Sequence, residues 1–222
     1  MGFNMTQENK EPFTPSDMHL FTVVPADCSS LEVLAKGKRG VVFKALWNGK
    51  FVAIKTKRPD SEAHNVLLLE AQYLKKVNKL GIGPKLYEAD DDYVVMDFIA
   101  GPAIGEFLED PHNPQVAILA VLKDIFDQLF TLDKAGINKF ELTNPYKHII
   151  VTKDNKTVLI DFERARHSQR PKNINQFAQY LLSSKILFLL QAKDILKDED
   201  KFKAALTQYQ KTGKKFSTDV LI

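Results

Sequence analysis

Several features that would narrow the function of this chain at once are missing from its sequence. It has a single cysteine, Cys28, so neither an internal disulfide nor a cysteine-built metal cluster can form. The most apolar run, residues 186–190, lies between Lys185 and Lys193 and is too short to span a bilayer. It predicts a buried helix. The first residues are polar and lack the basic start and apolar core of a signal peptide. We therefore expect a cytoplasmic protein that has no membrane partner.

A strong charge imbalance is also missing. The chain has 31 basic and 28 acidic residues, a net charge of +3 and a pI of about 8.7. Such a balance does not by itself predict nucleic-acid binding. The hydrophobic fraction of 44% and the charged fraction of 27% are typical of a globular protein. A length of 222 residues suits one large domain or two small lobes that share a cleft.

The order of the predicted elements favours a β-rich front half and a helical back half. Asn48 and Gly49 separate two β-rich runs, 41–47 and 50–55, which predicts a hairpin because both residues tolerate positive φ. Further strands are predicted at 31–34, 85–88, 93–99, 148–151 and 157–160, and helices from Asp60 or Ser61 to about Lys79 and over 114–134, 173–196 and 199–212. The fold class is therefore α+β, with an extension over residues 1–29, a front lobe over 30–100 and a back lobe over 101–222.

One predicted strand is followed directly by a carboxylate side chain. Residues 158–160 are apolar and predict a buried strand, and Asp161 follows directly. A strand end fixes a side chain while the loop beyond it leaves room for a ligand. Asp161 is therefore a candidate metal ligand.

Two features of the front half point to phosphate binding. Gly37 and Gly40 lie with basic neighbours in a turn between strands, where backbone amides can approach a phosphate closely. Lys55 ends the apolar run 52–54, and Glu70 lies on the core-facing side of the next predicted helix, where an unpaired carboxylate would be costly. An ion pair between Lys55 and Glu70 would satisfy both side chains.

Taken together, the glycine turn, Val52-Ala53-Ile54-Lys55, the helix glutamate and the later Ile160-Asp161-Phe162 resemble the protein-kinase motif series. The resemblance covers roughly residues 31–190. It is nearest to the small RIO-like atypical serine/threonine kinases of archaea and bacteria. It implies a two-lobed kinase-like fold, with ATP in the cleft and a short, mostly helical back lobe without a long activation segment.

The resemblance also implies site residues for ATP and Mg²⁺. Lys55 would bind the phosphates and pair with Glu70, and Asp161 would bind Mg²⁺. The residues implied for the rest of the nucleotide are Gly37 and Gly40 at the phosphates, Val42 and Ala53 against the adenine, Met96 at the back of the pocket, and the backbone of Asp97 and Ile99 at the adenine edge.

The catalytic loop departs from the family pattern. Lys139, Phe140 and Glu141 replace His, Arg and Asp, and Glu141 would orient the acceptor hydroxyl as a base. The loop from Glu141 to His148 is two residues longer than the pattern, so either Asn144 or His148 could replace the metal-binding asparagine. His148 could equally be a buried structural histidine.

The segment after Asp161 lacks the platform that holds an extended peptide in ordinary protein kinases. Basic residues follow instead, and with those of the catalytic loop they are Lys139, Lys147, Arg164, Arg166, Arg170 and Lys172. They add an anionic substrate or an RNA-bound partner to the expectations. The expected function is a serine/threonine kinase that acts on itself or on one protein partner. The alternatives are a nucleotide-binding pseudokinase scaffold and a small-molecule phosphotransferase.

Overall fold

A computed structural model describes residues 24–36, 40–57 and 66–222. Their contacts group them into two units. The first contains the described residues up to Gln72 together with Lys85–Phe98, and the second contains Tyr73–Pro84 and Ile99–Ile222. An antiparallel sheet forms most of the first unit and helices form most of the second, so the predicted α+β class is confirmed.

The first unit is built on a five-stranded antiparallel sheet with the order β1-β2-β3-β5-β4. Its strands are β1 Cys28–Lys36, β2 Gly40–Trp47, β3 Lys50–Lys57, β4 Leu86–Ala89 and β5 Tyr93–Asp97. The predicted hairpin is confirmed as β2–β3. Asn48 (φ 48°) and Gly49 (φ 73°) both adopt the left-handed conformation that a tight two-residue turn requires.

The register of the sheet separates two faces. One face is the buried core of the unit, and its members are Val41, Phe43, Ala45, Val52, Ile54, Tyr93 and Val95. On the opposite face Val42 pairs with Lys55, and Ala53 pairs with Met96. Because directly opposed residues share a face, these four side chains lie side by side.

Helix α1 covers Val66–Asn78. The predicted start at Asp60 or Ser61 lies outside the described residues. The helix ends at Asn78, one residue before the predicted Lys79. Gly81 (φ 73°) follows in the closing turn as predicted, where the Ile82 N–H donates to the Val77 carbonyl at 3.0 Å.

The second unit is mainly helical, with two short antiparallel strand pairs. Its elements are α2 Ile104–Glu109, α3 Gln115–Lys134, β6 Ile137–Asn138, β7 Ile149–Val151, β8 Thr157–Leu159, β9 Arg166–His167, α4 Asn173–Leu181, α5 Ser184–Gln191, α6 Glu199–Thr212 and a 3₁₀ turn Thr218–Leu221. The predicted β7–β8 hairpin and the helices α3 and α6 are confirmed, whereas α2 and the β6–β9 pair were not predicted.

One predicted helix is wrong. The pattern over 173–196 predicts a continuous helix, but α4 and α5 are separate. Ser183 is extended (φ −65°, ψ 141°), and its hydroxyl donates to the Tyr180 carbonyl at 2.7 Å. The apolar run in α5 is also less buried than expected, because Ile186 and Leu190 are buried while Phe188 is 72% exposed.

Aromatic contacts hold the helices of the second unit together. The ring centroid of Phe126 on α3 lies 5.4 Å from that of Phe177 on α4 and 4.7 Å from that of Phe216 near the C-terminus. Phe202 of α6 completes the cluster. Among the described residues, no helix combines the length and apolarity that a membrane crossing needs.

Candidate functional site

The β7–β8 hairpin brings His148 and Asp161 together. Ile149 pairs with Leu159, and the Ile160 N–H extends this ladder by donating to the His148 carbonyl at 2.9 Å. His148 therefore lies opposite Ile160, and Asp161 follows one residue later. The backbone of Asp161 is left-handed (φ 62°), a conformation that is rare for residues other than glycine.

Lys139 fixes the start of the preceding loop to Asp161. Its side chain is only 1% exposed, and its ammonium donates to the Asp161 carbonyl at 3.0 Å and lies 5.3 Å from the ring centroid of Phe162. The Lys139 N–H donates to Asn173 Oδ1 at 2.8 Å. These contacts give the buried ammonium hydrogen-bonding partners and hold the start of the loop against Asp161.

A second group of polar side chains, in which Asn173 is buried and Asp133 and Tyr209 are half-buried, supports this loop. Asn173 Nδ2 donates to Asp133 Oδ1 at 2.7 Å and to the Ile137 carbonyl at 2.6 Å, and the Tyr209 hydroxyl donates to Asp133 Oδ2 at 2.7 Å. Burial raises the pKa of the Asp133 carboxyl, although the hydrogen bonds from Tyr209 and Asn173 act in the opposite direction. Residues of α3, α4 and α6 thereby support Lys139.

Glu141 completes a group of three metal-ligating side chains. Its Oε2 lies 3.6 Å from His148 Nδ1, which lies 3.9 Å from Asp161 Oδ2. The three side chains each offer one donor atom, and these atoms all lie within 4.8 Å of one another. Two carboxylates and one imidazole at this spacing could hold a divalent cation.

The conformation of Glu141 is restrained on both sides. Phe140 (φ 65°) and Glu141 (φ 59°) are both left-handed, a costly backbone that the surrounding contacts must maintain. Arg164 Nη1 donates to Glu141 Oε1 at 2.9 Å. The other carboxylate oxygen, Oε2, is the one that faces His148.

In the first unit, Lys55 and Glu70 form the expected ion pair. Lys55 Nζ lies 2.7 Å from Glu70 Oε2, and the two side chains are 15% and 1% exposed. Buried ion pairs contribute little net stability because both charges lose their hydration. The pair therefore serves mainly to fix the lysine ammonium beside Val42 and Ala53 on its sheet face.

Of the four remaining predicted nucleotide residues, the structure describes Gly40, Asp97 and Ile99. Gly37 lies outside the described residues. Gly40 begins β2, and a Cβ there would lie 2.3 Å from the Thr56 carbonyl oxygen, so the strand pairing itself requires glycine at this position. The Asp97 side chain accepts from the Tyr87 hydroxyl at 2.5 Å and from the Lys85 N–H at 3.2 Å. Ile99 is the first residue after the first unit.

Asn144 and His148 are the two candidates to replace the metal-binding asparagine. Asn144 is exposed, and its N–H donates to the Glu141 carbonyl at 3.3 Å. His148 is half-buried and belongs to the three-residue group rather than to a core. Lys139 differs from the other basic residues near the site, because its ammonium is buried against Asp161, whereas Lys147, Arg164, Arg166, Arg170 and Lys172 are exposed.

The sequence reasoning missed the supporting residues Asn173 and Asp133. The available signal was weak: an aspartate in the last turn of α3, and an asparagine that begins α4. Either residue would ordinarily be taken for a helix-end residue.

Comparison with known proteins adds no assignment. No protein-family model matches the chain, and no curated protein matches it significantly. The function must therefore be argued from the arrangement of the residues.

Proposed function

We propose that the protein transfers the γ-phosphate of ATP to a hydroxyl group, as a minimal two-lobed kinase of the RIO-like serine/threonine type that acts on itself or on one protein partner. The observation that carries this proposal is the group Glu141, His148 and Asp161 at the end of the β7–β8 hairpin. A general base and a metal-ligating carboxylate at this spacing suit phosphoryl transfer.

The Lys55–Glu70 ion pair supports the same proposal. A lysine held 2.7 Å from a buried carboxylate has one fixed position, from which its ammonium can neutralise phosphate charge without reorganisation. Val42, Ala53 and Met96 share its sheet face and would contact the adenine. Gly40 would lie near the phosphates, and the Asp97 carbonyl and the Ile99 amide would bind the adenine edge.

The donor set at the hairpin fits a divalent cation. Asp161 and Glu141 each offer a carboxylate oxygen, the ligand that Mg²⁺ prefers, and His148 offers a nitrogen. A bound Mg²⁺ would neutralise charge on the phosphates during transfer.

In the transfer step, the acceptor oxygen attacks the γ-phosphorus while the bond from that phosphorus to the β,γ-bridging oxygen breaks. The hydroxyl proton passes to Glu141 Oε1, the oxygen that does not face the metal-ligating group, and then to water, and ADP leaves with its charge balanced by Lys55. Lys139 holds the Asp161 backbone and Arg164 holds Glu141 Oε1, so the reacting groups need little rearrangement.

The substitution Glu141→Gln tests the role of the base. It keeps the size of the side chain and removes its basicity, so transfer should fall by a factor of about 10² or more while ATP affinity changes little. Transfer of labelled γ-phosphate and calorimetric titration with ATP measure the two quantities. Glu199→Gln in α6 is the matched control and should retain full transfer. A Glu141→Gln protein that transfers phosphate at the native rate would contradict the assignment.

A second function, a nucleotide-binding pseudokinase that serves as a scaffold, is favoured by one contact. Arg164 Nη1 lies 2.9 Å from Glu141 Oε1, so this ion pair already occupies the carboxylate oxygen that a base would use. A scaffold would be stabilised by ATP and show no turnover, and Glu141→Gln would leave its partner binding intact.

A further inference from the structure

The three donors at the β7–β8 hairpin do not form the all-oxygen set that suits Mg²⁺. Glu141 and Asp161 provide oxygens, but the third donor is the imidazole nitrogen of His148. Mg²⁺ is a hard cation that binds carboxylates, phosphates and water, whereas imidazole is a ligand of transition-metal ions. The imidazole of His148 therefore affects which metal ion the site prefers.

The spacing of the donors suits coordination better than hydrogen bonding. His148 Nδ1 lies 3.6 Å from Glu141 Oε2 and 3.9 Å from Asp161 Oδ2, both beyond hydrogen-bond length. Two ligands that are each about 2.1 Å from one octahedral ion lie between about 3 and 4.2 Å apart. Both separations fall within this interval.

Each of the three residues is also held by a contact outside the group, Glu141 through its side chain and the other two through their backbone carbonyls. Arg164 holds Glu141 through its other oxygen at 2.9 Å, and Lys139 holds the Asp161 carbonyl at 3.0 Å. The His148 carbonyl accepts from the Ile160 N–H at 2.9 Å. A site whose ligands are fixed beforehand can discriminate between ions by ligand chemistry.

We propose that this site takes Mn²⁺ in preference to Mg²⁺, with His148 Nδ1 as the selecting ligand. Mn²⁺ shares with Mg²⁺ a preference for carboxylate and phosphate oxygens. As the softer ion of the two, it also accepts an imidazole nitrogen beside them more readily than Mg²⁺ does. This inference rests on the proposed function, because it names the ion that the same site uses with ATP. Binding of the ion alone can nevertheless be measured without turnover.

The test is a titration of the purified protein with Mn²⁺, followed by the electron paramagnetic resonance signal of the free ion and repeated with Mg²⁺ as competitor. We expect one Mn²⁺ per chain, bound at least about tenfold more tightly than Mg²⁺. The pulsed spectrum of the bound ion should show coupling to a directly bonded nitrogen. His148→Asn should abolish this coupling and most of the preference, and the exposed His112→Asn should change neither.

Two results would overturn the inference. One is the absence of nitrogen coupling in the native protein, which needs no variant and so does not depend on whether His148→Asn folds. The other is an unchanged ratio of Mn²⁺ to Mg²⁺ affinity in His148→Asn. If phosphate transfer occurs while the ratio is unchanged, the inference fails and the proposed function stands. If binding depends on His148 but the protein transfers no phosphate, the function fails and the metal assignment stands.

Discussion

Two charged side chains, Lys139 and Glu70, are almost wholly buried, each 1% exposed. Glu70 meets the Lys55 ammonium at 2.7 Å, and Lys139 donates to the Asp161 carbonyl at 3.0 Å. Such burial rarely adds net stability, because the lost hydration offsets the attraction. Each side chain contacts a proposed site residue, Glu70 with Lys55 and Lys139 with Asp161. We therefore attribute the burial of Glu70 and Lys139 to holding those two residues in place.

The burial of Lys139 could not be predicted from the sequence. Lysine is almost never fully buried unless it is paired, so the ordinary expectation for Lys139 is exposure to solvent. Its ammonium donates to a backbone carbonyl 22 residues away, and no sequence pattern marks that contact. The Lys55–Glu70 pair was predictable because a lysine at a strand end and a glutamate beside a core each require a partner.

At residue scale, alkaline unfolding should report on Tyr93. Its hydroxyl donates to Glu88, and this bond, followed by burial, raises the pKa of Tyr93 from 10.0 to about 12. The unfolded chain releases the proton near pH 10 and the folded chain near pH 12. The stability that this group contributes is therefore complete below pH 10 and is lost between pH 10 and about 12.

The substitution Tyr93→Phe should accordingly flatten the fall in the free energy of unfolding across that interval. Denaturant unfolding at a series of alkaline pH values measures the slope, and Tyr73→Phe serves as the control. An identical slope in native protein and Tyr93→Phe would show that the Glu88 contact does not hold the proton.

At the scale of elements, α2 is packed tightly against the loop that joins Glu141 to His148. A Cβ on Gly105 would lie 1.9 Å from Tyr146 Cδ2 and 2.0 Å from its Cε2. Gly105→Ala should therefore displace Tyr146 and cost about 1–3 kcal/mol of unfolding free energy. Because Tyr146 lies in the same loop as the proposed base, phosphate transfer should also fall.

The matched control is Gly213→Ala, where the added Cβ meets only Lys134 Nζ at 3.9 Å. The cost of this control comes only from the left-handed backbone of Gly213 (φ 61°), which alanine adopts at about 1–2 kcal/mol. Chemical denaturation of both variants gives the comparison. If Gly105→Ala is no more destabilising than Gly213→Ala, α2 and the loop are less tightly packed than we describe.

Elements with strong local signals were predictable. The β2–β3 hairpin has Asn48 and Gly49, and α6 has the Asp198 cap and Gly213 at its end. Helix α2 has only six residues and follows Ala103, which has no capping side chain. The break between α4 and α5 was missed because the apolar spacing continues across Leu182 and Ser183.

At the scale of the whole molecule, the site residues that could be predicted are those at the ends of regular strands. Asp161 follows a strand, and Lys55 ends one, so both positions were visible in the pattern. The contacts that refine the site join distant parts of the chain: Arg164 with Glu141, and Asn173 with Asp133. They depend on how helices and loops of the second unit pack, which local propensity does not determine.

The proposed function requires residues from both units of the molecule. The nucleotide residues Lys55 and Glu70 belong to the first unit, and the metal-ligating residues belong to the second. Each group is internally ordered by its own contacts. A kinase must use both on a single ATP, whereas a protein that only binds nucleotide does not need the base.

The measurement that tests this account most directly is the transfer of label from γ-labelled ATP, in the presence of Mn²⁺ or Mg²⁺, by the purified native protein and by Asp161→Ala. The control is Asp154→Ala in the exposed β7–β8 turn. We predict that the native protein and the control label themselves or release phosphate, and that Asp161→Ala does so about 100-fold more slowly or not at all. Equal turnover in native protein and Asp161→Ala, or none in the native protein with either ion, would contradict the assignment of a kinase.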